Sequence, residues 1–135
     1  MTDTYVLRPA VAPSFETKGL RGFQFAPLRH QALDVHLVEV KTGHDTFVIS
    51  KKITRLYYVL EGRGSFTIAA QKYDVEPGML VEVPPTLEYS YSGTMKLLLI
   101  GSPRWFQGNE QVTRDNPDVL NRFSSRIRRL LSKLR

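Results

Sequence analysis

Between Leu33 and Pro103 the chain is a succession of short apolar runs separated by turn-forming residues, and this punctuation limits the architectures open to it. "LDVHLVEVK" (Leu33–Lys41) is rich in β-branched residues and reads as a strand, and "DTFVIS" follows a Gly-His-Asp turn at Gly43–Asp45. "RLYYVLEG", "SFTIAA", "MLVEVPP", "LEYSYSG" and "MKLLLIGSP" come next. Turn residues at Glu61-Gly62-Arg63-Gly64, Glu76-Pro77-Gly78, Pro84-Pro85 and Ser92-Gly93 separate them. "FQFAPL" (Phe23–Leu28) is a further candidate strand. Short strands at this spacing, with no helix-period segment between them, indicate an all-β sandwich or barrel.

The pattern changes after Asn116. In "NPDVLNRFSSRIRRLLSKLR", Asn116 suits an N-cap, Pro117 the first helical position and Asp118 the first turn. Leu120, Phe123, Ile127, Leu130, Leu131 and Leu134 fall on one stripe, with basic residues on the other faces. The chain of 135 residues therefore divides into an arm (1–20), one β-barrel domain (21–115) and a basic amphipathic helix (116–135). The net charge of +6 does not describe the barrel, because the excess sits in residues 121–135, which hold Arg and Lys but no acid. Nucleic acid is accordingly not an expected partner. The stripe is expected to pack on the barrel or on a second subunit rather than on a membrane.

No cysteine is present, which excludes disulfides and thiolate chemistry. No apolar run approaches the ~20 residues that span a bilayer. The N-terminal stretch lacks the basic-then-apolar pattern of a signal peptide. The expected location is cytoplasmic.

"YYVLEGRGSFTI" and "VEPGMLVEVPPTLEYSY", in this order and spacing, resemble the two sequence motifs of the cupin superfamily. The resemblance implies a single-domain cupin-type jelly-roll barrel, with homodimerisation as the usual assembly of small cupins. Gly62 and Gly64 are expected to allow the positive φ of a tight hairpin, and Pro84-Pro85 to end a strand. In metal-binding cupins the first motif supplies two histidines and a glutamate, and the second a further histidine. Those positions fall here on Ile49, Lys51, Arg55 and Tyr89; a one-residue shift puts Val48 and Ser50 in place of the first two. A protonated Lys or Arg cannot ligate a metal, and it repels a cation. No metal and no other cofactor is expected.

Strand alternation then forecasts the interior. If Arg55 faces inward, so do Tyr57 and Val59, and if Tyr89 does, so does Tyr91. Lys51 joins them in the preferred register, and His36 shares a face with Asp34, Val38 and Val40. The candidate ligand-binding residues are Lys51, Arg55, Tyr57, Tyr89, Tyr91 and His36. Such a lining suits a small anionic or sugar-like ligand. His44 and His30 read as loop residues, His44 as a solvated one.

Three functions remain open at this level. The first is a metal-free cupin that binds such a ligand. The second is a metal-independent nucleotide-sugar isomerase or epimerase, with His36 as base and Tyr89 or Tyr91 as acid. The third is a non-catalytic barrel with a closed interior, in which Arg55 pairs with a buried acid such as Glu82. Whether the barrel is an enzyme turns on a histidine–tyrosine pair across the cavity. Trp105 and Phe106, in the loop after the last expected strand, are assigned to packing.

Overall fold

The computed structural model describes residues 5–120. Over these the chain forms nine strands: β1 Phe15–Glu16, β2 Leu20–Gln24, β3 Asp34–Val40, β4 Thr46–Ser50, β5 Thr54–Ile68, β6 Gln71–Val75, β7 Leu80–Val83, β8 Glu88–Ser102 and β9 Glu110–Asp115. β5 and β8 pair antiparallel along their whole length, from Thr54↔Ser102 to Ile68↔Tyr89. On their flanks the partners change halfway. The first half of β5 pairs with β7 and the second with β6, while β8 pairs with β4 at its start and β3 at its end. One face of the barrel thus runs β1-β2-β3-β8-β5-β7, and the opposing face runs β9-β4-β8-β5-β6. Two strands shared by both faces give the jelly-roll barrel that the punctuated sequence implied.

The bend in the shared strands explains a difference from the sequence reading. Gly62 takes the expected positive φ, 83°, whereas Gly64 does not; Gly93, opposite Gly64, takes 130°, and neither Gly62 nor Gly93 turns a hairpin. Each bends a continuous strand, because the long β5–β8 ladder runs on through the expected turn. β5 also carries a bulge between Val59 and Glu61, beside the bend, as strands crossing between packed sheets often do. β6 and β9 were not anticipated. Their residues are almost all exposed, so they lack the two-residue alternation by which a half-buried strand is recognised.

The core lies between the two faces. Tyr57, Val59, Phe66, Tyr89, Tyr91, Met95, Leu97 and Leu99, all from β5 and β8, join Val38, Val40, Val48, Val75 and Val83 in one cluster. Burying each large side chain contributes about 1.5–3 kcal/mol. At the C-terminal end, Asn116 Oδ1 accepts from Asp118 N and Asn116 O accepts from Leu120 N, so Asn116 caps a first helical turn over Pro117–Leu120. The rest of the expected helix, with most of its apolar stripe, lies outside the described residues. Among the described residues no helix is long and apolar enough to cross a membrane.

The bend gives a stability prediction. A Cβ at Gly93 would stand 2.5 Å from Arg63 O at a φ that side chains rarely adopt. Gly93→Ala should cost about 2–4 kcal/mol in chemical denaturation, combining backbone strain and overpacking.

Candidate functional site

A cavity of about 440 Å³ opens between the two faces. Its floor comes from in-register rows across the first face: Gln24, His36, Leu99 and Tyr57 in one row, and Asp34, Gly101 and Arg55 in the next. Gly101 makes the second row possible, because a Cβ there would stand 2.8 Å from Asp34 Oδ1. The opposite wall carries Tyr89 and Tyr91 from β8 and His44 from the loop before β4. Glu110 of β9, Arg104 and Trp105 of the β8–β9 loop, and Ser14, Phe15 and Thr17 of the arm complete the mouth.

Arg55, Tyr57, Tyr89, Tyr91 and His36 therefore come together, as expected from alternation. Lys51 does not. It is exposed on the bend after β4, because β4 takes the alternative register in which Val48 and Ser50 are the buried pair. Glu82 is exposed as well, on the outer face of β7, so it cannot be the acid that meets Arg55. That acid is Glu110, whose carboxylate forms an ion pair with the Arg55 guanidinium. Asn109 holds Glu110 in position: fully buried, it accepts from Lys52 N at 2.9 Å and donates to Ser50 Oγ at 2.9 Å.

The tyrosines form a connected aromatic wall. Tyr57 and Tyr89 share a hydroxyl–hydroxyl hydrogen bond of 2.7 Å. Tyr91 stacks on Phe66 at 4.8 Å and lies 5.4 Å from the Tyr57 ring. Burial pushes all three phenols above their ordinary value; Arg55 opposes the shift without reversing it. They are neutral hydrogen-bond donors across the physiological range. Burial works against the charge of Arg55, but the Glu110 and Asp34 carboxylates support it, and the guanidinium stays protonated. Burial holds His36 below its usual value, against the pull of Asp34. Among the described residues, the buried His36 Nδ1 and Arg55 Nε have no hydrogen-bond partner.

His44 is the residue that sequence reading misplaced. It is half-buried and lines the cavity, with its ring 5.7 Å from that of Tyr91 in an edge-on contact. Its backbone N donates to Tyr91 O at 2.9 Å, and its carbonyl accepts from Ser90 Oγ and from the buried Asn116 Nδ2. Its Nδ1 lies 2.8 Å from Thr46 O. A carbonyl only accepts, so in the neutral ring the proton sits on Nδ1 and the lone pair on Nε2. A single histidine in a turn has no period to mark it. The local signal was Gly43 beside it: a Cβ there would stand 2.4 Å from Tyr91 O, so only glycine lets the loop run this close to β8. Trp105, assigned to packing, is mostly exposed at the cavity mouth, where its N–H backbone group donates to Asp34 Oδ2 at 2.7 Å.

The residues do not suit a metal ion. The four motif positions are Val48, Ser50, Arg55 and Tyr89, and among the described residues no three His, Cys, Asp or Glu side chains converge to hold one.

No protein-family model matches the sequence, and no curated protein matches it. Solved structures do match in shape. A histidine-to-glutamine variant of Streptomyces PAC13 with uridine superposes with a TM-score of 0.76 at 21% identity, over 85% of this chain and 95% of that one. The Pac13 structure described as a unique nucleoside dehydratase gives 0.73 at 21% identity, over 87% and 96%. An RmlC-like cupin from Shewanella frigidimarina gives 0.59 at 17% identity, over 68% and 83%. The chain has the cupin fold.

The burial of His36 has a pH signature. Folded His36 takes up a proton less readily than unfolded histidine, whose value is 6.5, so the unfolded state binds more protons as pH falls below that value. The stability that neutral His36 contributes is present above pH 6.5 and is lost as pH falls towards the folded value. Denaturation curves between pH 7.5 and 5 should be steeper in pH for the wild type than for His36→Gln. Parallel curves would contradict the assignment.

Proposed function

We infer that the barrel binds an uncharged, nucleoside-like ligand and eliminates water from it. The observation that carries this reading is the convergence of His44, Tyr57 and Tyr91 on the cavity. Streptomyces PAC13 has been solved with uridine in a histidine-to-glutamine and two tyrosine-to-phenylalanine variants. The substituted residues are spaced along that chain as His44, Tyr57 and Tyr91 are along this one.

Elimination needs a base for a C–H proton and an acid for the departing hydroxyl. His44 supplies the base at Nε2, since its other nitrogen is committed to Thr46 O. An imidazole removes a C–H proton only where an adjacent carbonyl acidifies it, so the hydroxyl leaves from the next carbon. The C–H electron pair becomes the new double bond, the C–O bond breaks, and Tyr91 gives its proton to the departing oxygen to form water. The proton held on His44 then returns to the Tyr91 phenolate. A buried phenol is a weak acid, but incipient hydroxide is a stronger base still. The hydrogen-bonded Tyr57–Tyr89 pair orients the ligand's hydroxyls, and no step calls for a metal.

Charge balance favours an uncharged ligand over the anionic one expected from the sequence. The lining acids Asp34 and Glu110 are matched by Arg55 and Arg104, and Lys51 stands outside. Arg104 is committed to the backbone carbonyls of Leu28, His30 and Leu33. An isomerase or epimerase using His36 as base is less favoured, because burial and Arg55 surround that ring while His44 meets a tyrosine directly.

Calorimetry with uridine and uridine monophosphate tests the ligand class. Uridine should bind at least about tenfold more tightly, and tighter binding of the monophosphate would restore the anionic reading. For the reaction, nucleosides oxidised to the carbonyl level should yield an absorbing unsaturated product. His44→Gln and Tyr91→Phe should lower that rate by roughly 10²–10⁴-fold while uridine affinity changes within about threefold. Turnover left intact in both variants would remove His44 and Tyr91 from the mechanism.

A further inference from the structure

Asn116 caps the first turn of the C-terminal helix, but a cap uses only the side-chain oxygen. The amide nitrogen of Asn116 points instead into the loop that carries His44. Nδ2 lies 2.9 Å from Ser90 Oγ, 3.1 Å from His44 O and 3.5 Å from Tyr91 O. The partners fix which way the amide faces: the Asp118 backbone N–H requires Oδ1 on one side, and the His44 carbonyl requires Nδ2 on the other. Asn116 is 3% exposed, so these bonds form away from water, where each counts for more.

These contacts converge on one stretch of backbone. His44 N donates to Tyr91 O at 2.9 Å, and His44 O accepts from Asn116 Nδ2 and, at 3.0 Å, from Ser90 Oγ. Both polar groups of the His44 main chain are thereby held, one by the strand that bears Tyr91 and the other by the start of the C-terminal turn. Asn116 N donates to Asp45 O at 2.8 Å, and Asp115, one residue earlier, pairs with Thr46. Thr46 in turn supplies the carbonyl that accepts from His44 Nδ1. Residues 44–46 are thus gripped along their length by the end of β9 and the residue after it. Val119, fully buried, closes the loop from outside, where a Cβ on Gly43 would stand 2.8 Å from Val119 Cγ2. The imidazole inherits its direction from this backbone. A rotated His44 peptide would swing the ring off Thr46 O, and the proton could then occupy either nitrogen.

We propose that Asn116 is a positioning residue for the base: its amide fixes the His44 peptide, and with it the Nδ1-protonated tautomer and the aim of Nε2 into the cavity. The catalytic consequence rests on the elimination reading above; the tautomer does not, and the two are measured separately. Asn116→Asp and Asn116→Ser each keep an oxygen that caps the turn. The aspartate has no donor for His44 O, and the serine is too short to reach it. Nitrogen NMR of the full chain, at a pH where the ring is neutral, should place the His44 proton on Nδ1 in the wild type and show mixed tautomers in both variants. With nucleosides oxidised to the carbonyl level, kcat should fall about 10–10²-fold while uridine affinity stays within about threefold. Circular dichroism melts establish that each variant is folded. An Nδ1-protonated ring retained in both folded variants overturns the proposal, as does a wild type whose proton sits on Nε2. Unchanged kcat in both also overturns it, and loss of folding in both assigns Asn116 to stability alone and does the same. If the tautomer shifts as expected but the wild type turns over none of these nucleosides, the positioning role stands and the elimination reading falls.

Discussion

The pairing of β5 with β8 is the interaction on which the rest of the structure depends. The two strands belong to both faces, so the curvature of the barrel is the bend in this one ladder. The bend needs Gly62 and Gly93, whose positive φ and lack of Cβ let the strands cross from one face to the other at close approach. Tyr57, Tyr89 and Tyr91 stand on these same strands on either side of the bend. The bend that closes the barrel therefore also gathers the phenols, and site and fold are a single geometric solution.

At the base of the cavity lies an ion pair inside a polar frame. Arg55 of β5 is met by Glu110 from β9. An isolated buried charge costs several kcal/mol, so a cation on this strand requires a carboxylate close by. Asn109 supplies the placement: its amide satisfies Lys52 N and Ser50 Oγ in the interior and fixes the start of β9 beside Arg55. With the guanidinium compensated and the tyrosines held neutral by burial, the cavity presents donors and aromatic faces with little net charge.

The same strands carry two surfaces of opposite character. On β5, Arg55, Tyr57 and Val59 point inward, while Leu56, Tyr58 and Leu60 point outward. Both sets are rich in apolar residues, unlike a sheet with one solvated face, where polar residues would alternate with apolar ones.

The sequence by itself determined the class of fold, because short β-branched runs between glycine and proline turns leave few options. It also determined that Arg55, Tyr57, Tyr89, Tyr91 and His36 share the interior, because side chains two apart on a strand share a face. It marked the first turn of the C-terminal helix through Asn116 and Pro117. Only the tertiary structure decided the rest. Lys51 left the cavity through a one-residue choice of register that both readings of β4 permitted. Gly62 and Gly93 became bends rather than turns, because their role depends on a strand partner far away in sequence. His44 entered the site, and Glu110 replaced Glu82 as the partner of Arg55, through the course of a loop and of a polar edge strand. Neither segment has a period for a sequence to display, so their positions were set by contacts with distant strands.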